Sequence, residues 1–145
     1  MEQKQIQQAR GQIIFTDGSS SKIGKSVYCV LFQKKPNQRG KPKKHLEYFE
    51  EFMTSFDIEF LGLKHAVEVC TKNSIIYTDA MALISYLKNM KDRKLKDDEI
   101  KLMNLIKKKN LKIYYIPRHM NEAGIYLENR ISKLRGYCNS AVKRR

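Results

Sequence analysis

The chain has 145 residues, 41% of them hydrophobic, with 29 Lys and Arg against 15 Asp and Glu, a formal charge of +14. That length suits one domain with a sizeable core, and so large a positive excess, self-repelling in a compact chain, points to an anionic partner: nucleic acid first, then a membrane surface or an acidic protein. No stretch is long enough to span a bilayer, the N-terminus MEQKQIQQARG lacks the apolar run of a secretory signal, and three cysteines without a C-x-x-C pair argue against a disulfide framework, so the expected compartment is reducing and cytoplasmic.

Ile13–Asp17 is a short apolar run rich in β-formers and predicts a first strand, turned by GSSSKIGKS into a second at Val27–Gln33. Lys34–His45 carries six Lys and Arg, two prolines and no acid, and reads as an exposed loop. Leu46–Phe52 alternates as a third strand. The period then changes: Phe60, Leu63, Val67 and Cys70 form a helical stripe within Thr54–Cys70. Ser74–Asp79 predicts a fourth strand, and Leu83, Ile84, Leu87 and Met90 one face of a following helix. Asp97–Lys109 starts with acids and ends with lysines, as the helix dipole favours. Leu111–Arg118 predicts a fifth strand stopped by Pro117, and Asn121–Gly136 a last helix with Leu127, Ile131 and Leu134 on one face.

This order predicts an α/β fold: a five-stranded mixed sheet, with three antiparallel strands as a meander and two parallel strands reached by crossovers, flanked by helices. The expected organisation is a single domain over 1–145 with its core at about 12–136. A polar N-terminus and a basic C-terminal tail are expected to be flexible. No internal repeat divides the chain.

Three acids stand out by position: Asp17 at the end of the first strand, Glu59 at the start of the first helix, and Asp79 at the end of the fourth strand. Each adjoins apolar residues, where an ionised carboxylate is costly unless paired or metal-bound. Any one alone also fits a turn or cap residue; Asp79 could cap the helix beginning at Ala80. If the elements meet, the carboxylates meet at one end of the sheet. Their mutual repulsion then calls for a divalent cation, and an oxygen-rich site suits Mg²⁺ or Mn²⁺.

Four stretches in order resemble the motifs of the type 1 ribonuclease H family: IIFTDGS, TSFDIEFLGLKHAVE, IIYTDAMALISYL and YYIPRHMNEAGIYLENRI. The resemblance spans roughly Ile13 to Leu134. It implies an RNase H-like fold and an endonuclease that cuts the RNA strand of RNA–DNA hybrids with two Mg²⁺ or Mn²⁺ ions. It makes Asp17, Glu59 and Asp79 metal-binding catalytic residues. The family's fourth acid would fall at Ile125, which cannot ligate metal. Glu128, about one helical turn on, is the expected replacement, and Glu122 the alternative acid. The resemblance also implies a loop histidine, His119, assisting proton transfer or product release, and Thr54 holding a phosphate of the DNA strand.

Nucleic-acid contacts are further expected at Ser55, Lys34, Lys35, Arg39, Lys41, Arg118 and Asn121, with the basic residues touching phosphates and not reading sequence. The family's basic protrusion between two helices is trimmed here to NMKDRKLK. The expected partner is an RNA–DNA hybrid, bound by a monomer with no obligate protein partner. The competing readings are a nuclease for DNA or structured RNA, a binding module that has lost catalysis, and a basic nucleic-acid-coating protein.

Overall fold

A computed structural model describes residues 11–20 and 26–130. Strands β1 (Ile13–Ser19), β2 (Ser26–Phe32) and β3 (Lys44–Phe49) are followed by helix α1 (Ser55–Val69) and strand β4 (Ile75–Thr78). Then come α2 (Met81–Asn89), a 3-10 turn at Met90–Asp92, α3 (Asp97–Lys109), β5 (Lys112–Tyr115) and a 3-10 turn at Arg118–Met120. The described part of a last helix, α4, covers 122–130. Ile131, Leu134 and Cys138 lie outside the described residues.

The sheet order is β3-β2-β1-β4-β5. β1 pairs antiparallel with β2 and parallel with β4, β2 pairs antiparallel with β3, and β4 pairs parallel with β5. The expected mixed sheet is thus present, with some boundaries moved. β1 runs on through Asp17 to Ser19 because Asp17 and Gly18 still pair with Cys29 and Tyr28. β3 starts at Lys44, inside the expected basic loop, and stops at Phe49.

Side chains of successive strand residues point to opposite faces, so each face builds its own core. Ile14, Tyr28, Val30 and Ile76 pack under Ile58, Leu63, Ala66 and Val67 of α1, with Leu83 and Leu102 from the next two helices. On the other face Phe15, Val27, Cys29 and Leu31 pack against Ala123 and Leu127 of α4. The stripe expected for α1 is therefore the buried one, with Phe60 half-buried at its margin. The ammonium of Lys109, in the last turn of α3, donates to the carbonyls of Val67, Glu68 and Cys70 at 2.8, 2.8 and 2.9 Å. It satisfies carbonyls that the C-terminus of α1 would otherwise leave unpaired. No helix of the described residues is long and apolar enough to cross a membrane.

The trimmed segment between α2 and α3 is held by Glu99. Its carboxylate accepts from Arg93 (3.0 Å to Oε1), from the Tyr86 hydroxyl and from the backbone N–H of Lys96 at 3.0 Å. The last bond caps α3 from its third position. Arg93, then Tyr86 and Lys96, pull the Glu99 carboxyl down to about 2 from an ordinary 4.5. A carboxylate whose folded value is depressed stabilises the fold above its unfolded value, and this is lost as pH falls through the folded one. Glu99→Gln is therefore expected to lower the melting temperature at neutral pH, with the gap to wild type closing between about pH 4.5 and about pH 2. Thermal unfolding of both proteins across that window checks this; a gap that persists at pH 2 contradicts it.

Candidate active site

β1 and β4 lie side by side and parallel, so their C-terminal ends emerge at the same edge of the sheet. Asp17 comes from the first and Asp79 follows the second. Thr78 directs the turn after β4, its hydroxyl accepting from the Ala80 N–H at 3.1 Å. α2 begins with Ala80 in the cap position and no side-chain cap bond, so Asp79 does not serve as the helix cap.

α1 enters over the same edge. Its cap is Thr54, whose hydroxyl accepts from the Asp57 N–H at 3.1 Å. Gly18 lets β1 approach this helix: a Cβ there would lie 2.9 Å from Ile58 and 3.1 Å from the backbone N of Glu59. The contact brings Glu59 onto the strand end. One carboxylate oxygen from each of Asp17, Glu59 and Asp79 then lies within 4.8 Å of the others.

The electrostatics record that crowding. Burial, and next the charge of Asp79, push Asp17 up to about 6 from an ordinary 3.8. Burial, then Asp17 and Asp79, push Glu59 up to about 8 from an ordinary 4.5. A hydrogen bond between the two carboxyls lowers Asp17 and raises Glu59, as when Glu59 holds the proton and donates it. Arg118 opposes both shifts from the rim. The nearby Cys29 thiol is pushed up to about 12, by burial first and by Asp17 second, and stays a neutral core residue.

α4 closes the site from the other face. Asn121 is fully buried; its amide nitrogen donates to Thr16 O and to Asp79 Oδ2, each at 3.0 Å. Its oxygen accepts from the Ala123 N–H at 3.2 Å, which makes it the helix cap as well. The expected contact of Asn121 with nucleic acid thus gives way to an internal role, since every polar atom of the amide is used inside the protein. Gly124 comes next. A Cβ at that position would lie 2.9 Å from Asp17 Oδ2 and 3.6 Å from Asp79 Oδ2. The residue of α4 that faces the carboxylates is therefore Gly124, while Ile125 is 42% exposed.

Glu128 sits one turn beyond Gly124 and is exposed. Arg118 pairs with it at 3.5 Å, outside the trio whose oxygens converge. Glu122 is exposed and faces a groove with Tyr115, Pro117 and Met120. His119 lies in the exposed 3-10 turn beside Arg118. Ser55 opens α1, its hydroxyl 3.2 Å from that of Ser20. Lys34, Lys35, Arg39 and Lys41 belong to the β2–β3 connection. That connection lies beyond the start of β1, where Gln33 N–H donates to Ile13 O. They are thus at the opposite end of the sheet from the carboxylates.

Three features fit this pocket to a divalent cation of the magnesium type. The converging donors are hard carboxylate oxygens, burial and then neighbouring acids hold Asp17 and Glu59 toward their neutral forms, and a glycine leaves space beside them. The sequence alone points Asn121 toward nucleic acid and marks no role for Gly124. The only signal for Gly124 was a helix-weakening residue close to the start of a helix.

No protein-family model and no curated protein sequence matches the chain. Solved structures do. LC11-RNase H1, crystallised with an RNA/DNA hybrid, is similar with a TM-score of 0.57 at 18% identity, over 77% of this chain and 88% of that one. RNase H1 of the halophilic archaeon Halobacterium salinarum NRC-1 gives 0.59 at 15% identity, over 77% and 89%. The N-terminal RNase H domain of Rv2228c from Mycobacterium tuberculosis, solved as a fusion with maltose-binding protein, gives 0.54 at 16% identity, over 76% and 84%. The fold is that of the RNase H1 structures.

Proposed function

We propose that this chain, which has the RNase H-like fold, is a nuclease that hydrolyses the RNA strand of RNA–DNA hybrids. The observation that carries the reading is the convergence of Asp17, Glu59 and Asp79 at one edge of that sheet. The net charge of +14 supports a polyanionic substrate, and the similarity to an RNase H1 crystallised with an RNA/DNA hybrid supports this choice of duplex.

In this reading the carboxylates hold two Mg²⁺ or Mn²⁺ ions, which when bound supply the activation of water and the charge stabilisation that phosphodiester hydrolysis needs. Water adds to phosphorus and the bond to the 3′ oxygen breaks, leaving 3′-hydroxyl and 5′-phosphate ends. Asn121 fixes Asp79 through its Oδ2 bond, and Gly124 keeps the floor of the site clear. Arg118 faces the substrate phosphates from the rim, and His119, exposed next to it, moves a proton at the departing 3′ oxygen. Thr54 and Ser55, at the N-terminus of α1, receive a phosphate of the DNA strand. Lys34, Lys35, Arg39 and Lys41 hold duplex phosphates far from the cut. Selection rests on duplex shape and 2′-hydroxyls in the minor groove.

Glu128 is proposed as the fourth acid, turning inward from its Arg118 contact when cations are present. Glu128→Gln is then expected to reduce cleavage by about 10- to 100-fold, while Glu122→Gln leaves it nearly unchanged. Cleavage rates of the two variants check this, and the reverse order contradicts it. One observation favours a second reading, a binding module without catalysis: three acids converge and Ile125 stands at the fourth motif position. Incubation of the protein with labelled hybrid, double-stranded RNA, double-stranded DNA and single strands separates the readings. Cutting of the hybrid is expected. Cutting of DNA alone would overturn the substrate assignment, and binding without cutting of any strand would favour the module.

A further inference from the structure

A second group of ligating side chains stands apart from the carboxylate trio. His45 and Glu47 are two residues apart on β3 and so share a face. α1 crosses that face closely because Gly62 lies against Tyr28, where a Cβ would sit 3.2 Å from the Tyr28 Cβ. His65 follows three residues later, about 9 Å along the helix axis from Glu59. One ligating atom from each of His45, Glu47 and His65 lies within 4.8 Å of the others. The imidazoles stack at 4.3 Å between centroids, and His45 Nε2 is 3.0 Å from Glu47 Oε2.

Tyr28 orients the group. Its hydroxyl lies 2.7 Å from His65 Nδ1 and 3.4 Å from Glu47 Oε2. One directional arrangement satisfies both contacts: Nδ1–H of His65 donates to the tyrosine oxygen, and the tyrosine O–H donates to the carboxylate. The Nε2 lone pair of His65 is then free, which is how outer partners commonly set a metal-binding tautomer. Burial, and then His45, hold His65 toward its neutral form. Glu68, one turn further along α1, adds negative charge.

We propose that His45, Glu47 and His65 form a binding site for a divalent cation of the zinc type, distinct from the carboxylate trio. Two imidazoles and one carboxylate give three protein ligands with a position open to water, a donor set suited to zinc and poor for magnesium. The cation ties β3, the edge strand, to α1, the helix that carries Glu59. Nothing in this site depends on the nuclease reading.

The test uses the full chain in excess Mg²⁺, titrated with Co²⁺ while the visible absorption of the bound ion is followed, and with Zn²⁺ by calorimetry. One saturable equivalent is expected. His45→Gln, an exposed change that leaves the fold intact by its melting temperature in EDTA, should weaken binding at least ~10-fold. His65→Gln should do the same, and Asp17→Asn should leave binding unchanged. Absence of saturable binding, binding that survives both histidine changes, or binding lost with Asp17→Asn overturns the proposal.

Discussion

Asp17→Asn is expected to slow cleavage of the hybrid severely and to stabilise the cation-free protein at alkaline pH. The two effects share one cause. Asp17 and Glu59 are held up at about 6 and about 8, above their ordinary values of 3.8 and 4.5. A carboxyl whose folded value is raised binds more protons folded than unfolded, so its contribution is full below the unfolded value and is lost as pH rises through the folded one. Wild-type protein in EDTA should therefore lose stability between about pH 4 and about pH 8 on account of this pair. Mg²⁺ or Mn²⁺ should restore it by neutralising the carboxylates.

Removing Asp17 takes away one of the charges that raise Glu59, so the variant should lose less stability over the same span and gain less from the cation. Its cleavage rate should fall about 10²- to 10³-fold or more, the scale of losing a group that supports transition-state charge. Melting curves of both proteins in EDTA and in Mn²⁺ from pH 5 to pH 8.5, with rates alongside, check this. Equal alkaline losses in the two proteins, or full activity in the variant, contradict it.

The second large effect is expected at Gly124. Alanine there would put a methyl carbon where Asp17 Oδ2 now lies 2.9 Å away. A short carboxylate can rotate aside, so Gly124→Ala should keep the fold and turn Asp17 out of its pocket, costing about 10- to 100-fold in rate. Gly124→Val should fill the space, destabilise by about 1–3 kcal/mol through overpacking, and end both cleavage and stabilisation by cation. Ile125→Ala, on the exposed neighbour, should change neither. If Gly124→Val cleaves like wild type, the space beside the carboxylates has no part in catalysis.

The five strands and their mixed pairing are legible because each strand is a short apolar run with a clear stop, and Asp17 and Asp79 stand out as acids at those stops. Glu59 was legible from the change of period that starts α1. What sequence spacing could not supply was the direction in which α4 faces. Counting from Asn121 selects Ile125, yet the helix turns Gly124 to the carboxylates, and a residue without a side chain leaves no chemical mark in a sequence. Asn121 reads as the first residue of the last helix and a contact for nucleic acid, and only its bonds to β1 and to the residue after β4 show its amide satisfied inside. The basic loop was legible as a loop. Its place at the far end of the sheet follows from β1 and β2 being antiparallel, so the connection after β2 lies beside the start of β1. His45 ends the basic stretch and His65 lies in the first helix, 20 positions apart in the sequence; their meeting needs Gly62 against Tyr28.

The most direct test of the central claim is an analysis of the cut ends. A hybrid labelled on its RNA strand is incubated with wild-type protein in Mg²⁺ and in EDTA. The predicted result is internal RNA cleavage leaving 5′-phosphate and 3′-hydroxyl ends in Mg²⁺, an intact DNA strand, and no cleavage in EDTA. An uncut RNA strand in Mg²⁺ and Mn²⁺, or cleavage that persists in EDTA with 2′,3′-cyclic phosphate ends, would contradict it.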